Sequence, residues 1–323
     1  MSSAWLSARG DLPASPDTAQ TSWGCSGCLQ CTGFCEHENP VADTLYAARA
    51  EYHDAGLVPE AVQASERRHG QRIVEAAATL RELSREPGVH QGSKSALLVG
   101  CAYLRKARPE ARAMLRAVVA LLGPVRLVAG CCGAPLLHAG DRAGFDAARA
   151  QIAEQVQNTH TFVVGDPGCA LALEPARDSR TASDTRVLPF VRLAAEHADR
   201  LRKIAGFGAT AQVRFHDPCA LGRGLGEYQA PRVVLARALG REPEEFLEQR
   251  ELAECSGAGG LLPVSMPESS AKIAELRLRA HERAGGGTLV TACAASLRRF
   301  RAQGTPAVDI ASIVAQSLDL PHE

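Results

Sequence analysis

The distribution of eleven cysteines constrains the fold of this chain more than any other feature of its sequence. Seven of them recur at similar places in two successive segments of alternating strands and helices, and the other four form a tight N-terminal run. That run is Cys25, Cys28, Cys31 and Cys35, with the spacing C-x2-C-x2-C-x3-C. Short turns at this spacing let several thiolates converge on one 4Fe-4S cubane. The run therefore predicts an iron–sulfur cluster.

Zinc is the competing interpretation of the run, since C-x2-C pairs also build tetrahedral zinc sites. Zinc sites usually separate two short pairs by a longer loop, which this run does not do. Residues 36–100 contain no cysteine, so no second run exists, and Glu36 replaces the proline that usually follows the fourth cysteine. We expect a single N-terminal cluster, closed either by Cys35 or by a ligand from elsewhere in the chain.

The overall composition predicts a globular chain in a reducing compartment. Lys plus Arg equals Asp plus Glu at 36 each, so no net charge attracts nucleic acid. The first twenty residues lack the apolar stretch of a signal peptide, and no later stretch is long enough to span a membrane. An odd number of cysteines without an export signal favours metal or thiol chemistry over structural disulfides. We expect a cytoplasmic protein.

The chain divides into four predicted parts. Residues 1–22 are predicted as a flexible lead, and 23–92 as a helical segment that contains the run. Its helices are expected over Val41 to Gly56 and Gln71 to Leu83, where apolar residues recur at helical spacing. A loop rich in glycine and proline over 86–93 ends this segment. Two related units are expected over 93–210 and 211–323.

Short apolar runs alternate with amphipathic helices in both of these units. We expect strands at 96–99, 125–129, 161–164, 212–215 and 288–290, and helices at 110–122, 145–156, 231–239 and 270–282. This alternation predicts an α/β fold with parallel sheets. Cys101, Cys131, Cys169, Cys219 and Cys293 each follow a predicted strand closely. Ligands bind at that edge in open α/β sheets, so these positions favour a binding role over core filling.

Three segments of the chain resemble a known family. Cys131-Cys132-Gly133, the segment from His216 to Arg223 and the segment from Cys255 to Gly260 are similar to the cysteine-rich CCG domain. That domain occurs in duplicate in heterodisulfide reductase subunits and in the iron–sulfur subunits of glycolate, lactate and anaerobic glycerol-3-phosphate oxidation systems. Many of these proteins carry an N-terminal ferredoxin-like part. The resemblance implies two CCG units preceded by a small helical ferredoxin-like segment.

In its fullest form, each half of this family supplies five thiolates, which can hold a non-cubane 4Fe-4S cluster. The first half of this chain supplies four, which are Cys101, Cys131, Cys132 and Cys169, and has Asp166 in the fifth place. The second half supplies three, which are Cys219, Cys255 and Cys293, and has Ser256 and Ser296 in the other two places. Oxygen is a harder and weaker ligand for such clusters than thiolate. The first half is therefore expected to hold a 4Fe-4S cluster, whereas the second half is expected to hold an open or less stable cluster, or to be a thiol site.

Other polar residues near the motifs have two interpretations each. His216 either completes a metal site or forms a local hydrogen bond with nearby backbone. Arg223 and Arg232 either balance the charge of a cluster or substrate or lie on the solvated surface. The glycines around residues 222–226 and 257–260 fit close approach of the backbone to a cluster better than nucleotide binding.

The cysteine motifs and the family resemblance together imply an electron-transfer subunit of a redox complex. Its partner would be a flavoprotein or another electron carrier, and the chain would relay electrons or reduce a disulfide. It would thus be a component of an oxidoreductase. The alternative is a non-catalytic metal-binding or thiol redox-sensing module.

Overall fold

The computed structural model of the chain describes residues 2–174, 185–207 and 212–320. Two fully parallel sheets form its centre. The strand order of the first sheet is β2-β1-β3-β4. Its strands are β1 (Ser95–Leu98), β2 (Arg126–Leu127), β3 (Thr161–Val164) and β4 (Arg186–Pro189).

The second sheet repeats the arrangement of the first. Its order is β5-β6-β7, with β5 (Val213–Phe215), β6 (Thr288–Thr291) and β7 (Ala307–Asp309). An isolated parallel bridge joins Arg214 of β5 to Glu244, on the side of β5 where β2 would lie in the first sheet. The predicted α/β fold with two related parallel units is therefore confirmed.

Helices precede the first sheet and cover both sheets. The N-terminal segment contains α1 (Ser2–Ala8), α2 (Pro16–Ser22), α3 (Gln30–Gly33), α4 (Val41–Asp54), α5 (Glu60–Arg67) and α6 (His69–Leu83). The first unit contains α7 (Cys101–Lys106), α8 (Arg108–Leu122), α9 (Ala134–Ala139), α10 (Arg142–Gln155), α11 (Pro167–Leu173) and α12 (Phe190–Glu196). The second unit contains α13 (Gln229–Leu239), α14 (Leu262–Ser265), α15 (Pro267–Arg283), α16 (Ala294–Ala302) and α17 (Ile310–Ser317).

Two features of the fold differ from the sequence-based expectation. Strands β4 and β7 were not predicted, because Pro189 interrupts the apolar run at β4 and the charged Asp309 follows only two apolar residues in β7. Helices α1 and α2 lie where we expected a flexible lead. A capping box between Ser15 and Thr18 starts α2, and the buried Ala19 then packs with Trp23. The boundaries at residues 22, 92 and 210 stay predictions, and the last of them lies outside the described residues.

One apolar core runs through both units. It includes Leu97 and Val163 of the first sheet and Phe215 and Val290 of the second. Helix α8 packs against α17, and α12 packs against α13, so the contact between the units is built from helices of both. A buried hydrogen bond of 2.7 Å from Tyr103 Oη to Asp309 Oδ2 crosses this contact. The two units are thereby held in one body.

None of the helices in the described ranges combines the length and the apolar character that a membrane span requires.

Candidate metal centres

Four cysteines of the first unit meet at the carboxyl edge of its sheet. Cys101 begins α7 directly after β1, Cys131 and Cys132 follow β2, and Cys169 lies on α11 after β3. The Sγ atoms of Cys101 and Cys131 are 4.0 Å apart. Cys132 interacts through its thiol with both Cys131 and Cys169. The structure thus brings together all four predicted ligands of the first half in one chain of sulfur contacts.

The electrostatic environment of these four thiols disfavours the thiolate form in the absence of a cation. The hydrogen bond with Cys131, followed by burial, raises the pKa of Cys101 well above its ordinary value. The hydrogen bond with Cys132 lowers the pKa of Cys169, but burial and the nearby Asp166 raise it further, so that it reaches about 12. Metal ligation requires thiolate, so binding at this site would release protons.

Asp166 lies between the two units. It caps α11 by accepting a hydrogen bond from the Gly168 amide at 2.9 Å, and its second oxygen accepts one from the Ala294 amide at 3.4 Å. Burial raises the pKa of this carboxyl. Its neighbour across the contact is Cys293, whose pKa is raised to about 12 by burial and by Asp166. The two residues occupy equivalent positions of the two halves and face each other.

The second unit repeats only part of the sulfur cluster. Cys219 and Cys255 interact as Cys101 and Cys131 do in the first unit. In the places of Cys132 and Cys169, however, Ser256 Oγ and Ser296 Oγ form a buried hydrogen bond of 2.9 Å. Of the three thiols that we expected together, the structure pairs Cys219 with Cys255 and puts Cys293 beside Asp166 and Ser296.

The N-terminal run lies against the second unit. The thiol of Cys28 interacts with that of Cys255, and Ser26 Oγ lies 3.5 Å from Cys255 Sγ. Cys25 lies near Cys28 and Cys31. Sequence reasoning missed this contact between segments that are 229 residues apart. The one signal that pointed to it was the loss of two thiols in the second half.

The same short turn holds one sulfur in each of the three cysteine groups. A glycine two residues after the cysteine donates its amide to Sγ, at 3.3 Å for Cys25, 3.4 Å for Cys131 and 3.2 Å for Cys255. The three glycines have φ between 67° and 82°, a conformation that favours glycine. Amide donors to sulfur favour the thiolate and tune the potential of a cluster. All three cysteine groups therefore have sulfurs prepared for ligation.

His216 and Arg232 are explained by structure rather than by a metal. His216 is buried, and its Nδ1 accepts a hydrogen bond of 3.3 Å from Arg277 Nε. Arg232 is also buried, with its guanidinium paired to Asp217 at 2.8 and 3.0 Å and to Glu245 at 2.6 and 2.8 Å. The expectation of a solvated surface was wrong for Arg232, because two carboxylates compensate its burial.

Arg223 connects the N-terminal run to the second unit. Its Nε donates to the Cys28 carbonyl at 2.7 Å, and its Nη1 donates to the carbonyls of Glu251 and Ala253 at 2.8 Å each. It therefore serves as a clamp and not as a free surface charge.

The sulfur contacts differ from the ligand set of one isolated ion. Across 2–174, 185–207 and 212–320, no three side chains of His, Cys, Asp or Glu are grouped as ligands of a single metal ion. The sulfurs of the first unit instead contact one another in series.

Comparison with known proteins identifies the family. The profile of the CCG cysteine-rich domain matches residues 95–174 and 213–296, and the two matches together cover half of the chain. The chain belongs to the CCG cysteine-rich domain family, as its motifs predicted.

Its curated relatives include three types of iron–sulfur or reductase protein. A probable membrane-anchored ferredoxin of Chromohalobacter salexigens is 34% identical over 35% of this chain. One subunit of the dihydromethanophenazine:CoB–CoM heterodisulfide reductase of Methanosarcina barkeri is 32% identical over 33% of this chain. One subunit of the fumarate reductase (CoM/CoB) of Methanothermobacter marburgensis is 23% identical over 83% of this chain. The matches span 18%, 28% and 54% of the lengths of these relatives.

Proposed function

We propose that this chain is an iron–sulfur electron-transfer subunit of a cytoplasmic redox complex. The observation that carries the proposal is the contact series of Cys101, Cys131, Cys132 and Cys169 at the edge of the first sheet. Four soft sulfur donors fit an iron–sulfur cluster, which is commonly held by four thiolates. A bound cluster supplies one-electron transfer.

The cluster type and number are part of this proposal. We assign one 4Fe-4S cluster to the first unit, with those four cysteines as ligands, and one to the N-terminal run. Relatives named as a ferredoxin and as reductase subunits support the electron-transfer role. The partner would be a flavoprotein or another electron carrier. The free thiols of the chain fit a reducing compartment.

The surface near the run favours exchange of electrons with a partner. Cys31 is exposed, and the neighbouring Phe34 is 61% exposed, which is unusual for so large an apolar side chain. Apolar residues exposed around a redox site are typical of a docking surface for another protein. Electrons would enter or leave at the run, and the buried cysteines of the first unit would pass them on or serve in the reduction of a disulfide.

Anaerobic purification tests the proposal. We expect iron and sulfide in comparable amounts and a broad visible absorption band. Replacing both Cys132 and Cys169 by serine should abolish the share of iron that belongs to the first unit. The matched control is Cys293→Ser, a half-buried cysteine outside the series of four. Loss of equal iron from the control would contradict the assigned ligands.

A metal-binding or thiol redox-sensing module is the second candidate. The hydrogen-bonded pair of Ser256 and Ser296 favours it, because the second unit has lost two soft donors there. Colourless protein that contains zinc and no sulfide would support this candidate and refute the first.

A further inference from the structure

We propose that Cys255 of the second unit, and not Cys35, is the fourth ligand of the cluster at the N-terminal run. The ligand set would then be Cys25, Cys28, Cys31 and Cys255. This inference rests on the proposed function, since it assigns a ligand to one of the two proposed clusters. The N-terminal segment and the second unit would both contribute ligands to a single site.

The thiols themselves provide the first argument. Cys255 interacts with Cys28, and the hydroxyl of Ser26, between Cys25 and Cys28, lies 3.5 Å from Cys255 Sγ. Cys25 in turn lies near Cys28 and Cys31. Three sulfurs of the run and one sulfur of the second unit therefore lie close together.

The backbone around Cys255 is built for close approach to the run. Gly259 and Gly260 lie so near the run that a Cβ on either would overlap with the carbonyl oxygen of Ser26 or Cys25. Arg49 donates to the Cys25 carbonyl at 2.8 Å and to the Gly260 carbonyl at 2.9 Å. Hydrogen bonds and close backbone packing thus hold the two segments together, so a shared site would be organised before any cluster binds.

Cys35 is held differently. Its Sγ accepts a hydrogen bond of 3.2 Å from Asn39 Nδ2, and Asn39 is exposed. The turn is fixed further by a 2.9 Å hydrogen bond from Thr32 Oγ1 to the Asn39 carbonyl. The polar partner of Cys35 thus lies on the solvent side of the run.

The chemistry of the second unit gives an independent reason. Ser256 and Ser296 bond to each other, Cys293 lies beside Asp166, and the thiols that remain paired in the second unit are Cys219 and Cys255. A pair alone is too few for a cluster of its own. In two-cluster ferredoxins the fourth cysteine of a run ligates a different cluster, so a run of this spacing naturally takes its last ligand from elsewhere. Here the remote thiol in contact is Cys255.

The test removes the first-unit site so that iron reports on the N-terminal site alone. The background is the full chain with Cys132→Ser and Cys169→Ser, which copies the serine pair that the second unit already carries. In this background, Cys255→Ser should lose most of the remaining iron and sulfide, and Cys35→Ser should keep them. Loss with Cys35→Ser, loss with both variants or loss with neither would overturn the assignment.

A second measurement needs no variant. The iron-loaded wild-type protein is treated anaerobically with iodoacetamide, and the alkylated cysteines are mapped by mass spectrometry. We expect Cys35 to be alkylated while the exposed Cys31 is protected, since of these two cysteines Cys31 alone would be a ligand. Protection of Cys35 would overturn the inference. Wild-type protein without iron or sulfide would instead refute the proposed function, so the two failures are distinguishable.

Discussion

Arg49 makes a sharp prediction about what holds the three parts of the chain together. It is fully buried, and its guanidinium donates to four backbone carbonyls in three separate segments. The four distances are 2.9 Å to Ser22, 2.8 Å to Cys25, 3.0 Å to His138 and 2.9 Å to Gly260. The rings of Tyr46 and Trp23 lie 4.9 and 5.8 Å from its Cζ. Arg49 therefore joins the N-terminal segment, the end of α9 and the second unit.

The size of the effect follows from these contacts. A hydrogen bond to a charged group contributes about 1.5–3 kcal/mol, so four contribute on the order of 6–12 kcal/mol before desolvation is subtracted. Relief of the desolvation of the guanidinium offsets part of the loss, and removal of one partner of a buried charged interaction typically costs about 3–5 kcal/mol. We expect Arg49→Met to lower the free energy of unfolding by about 3–5 kcal/mol. Arg49→Lys should lower the free energy of unfolding less than Arg49→Met does, because lysine keeps the positive charge. It should still be less stable than wild type, because its ammonium cannot reach all four carbonyls.

Tryptophan fluorescence during urea unfolding measures this effect locally. The chain has two tryptophans, and Trp23 is fully buried beside Arg49, whereas Trp5 is 54% exposed. A Trp5→Phe background leaves Trp23 as the only tryptophan. Arg142→Met is the control, since the ion pair of Arg142 with Asp146 is exposed and its loss should cost less than about 1 kcal/mol. If Arg49→Met cost no more than this control, the account of Arg49 as the joining residue would be refuted.

Three further predictions concern pH, packing and the lost thiols. Burial raises the pKa of Asp309 to about 7 from an ordinary value of 3.8. The folded protein thus binds this proton more tightly than the unfolded chain. The stability that this proton contributes is full below about pH 4 and is lost as the pH rises from there through about 7. Urea unfolding should show that the free energy of unfolding falls by about 2–4 kcal/mol between about pH 4 and pH 7, and Asp309→Asn should remove most of this pH dependence. Gly260→Ala should destabilise the chain more than Gly226→Ala, as measured by unfolding temperature. Both glycines have positive φ, at 60° and 67°, so alanine at either position costs about 1–2 kcal/mol in backbone strain. The added Cβ overlaps with a carbonyl oxygen at Gly260, whereas at Gly226 it meets nothing. Equal losses would show that the close approach is unimportant. Finally, Ser256→Cys combined with Ser296→Cys should raise iron and sulfide per chain above wild type, because it restores the sulfur pair of the second unit. Unchanged metal content would contradict the equivalence of the two halves.

The sequence predicted the parts of the molecule that repeat. Alternating apolar runs and helical periodicity predicted five of the strands, and Cys101, Cys131, Cys132 and Cys169 were grouped before their contacts were known. These predictions succeeded because strand direction and the carboxyl edge of a parallel sheet follow from local pattern. They required no knowledge of how distant segments pack.

The contacts that sequence reasoning missed are those between distant segments. No local period reports that Cys28 meets Cys255, or that the guanidinium of Arg223 reaches the Cys28 carbonyl. The burial of Arg232 was missed for the same reason, since one of its two carboxylate partners is 15 residues away and the other 13. From sequence alone, a charged residue on an amphipathic helix is interpreted as solvent-exposed, because its buried ion-pair partners are not visible.

The packing of α17 on α8 has a consequence for how the chain is made. Met114, Leu115 and Val118 of α8 belong to the same core as Ile313 and Val314 of α17, near the C-terminus. A ribosome releases α8 about two hundred residues before α17 emerges, so during that interval the first unit has an uncovered apolar face. Maturation with metal is therefore expected to follow the synthesis of α17, and truncation of the chain before α17 would damage the sulfur site of the first unit.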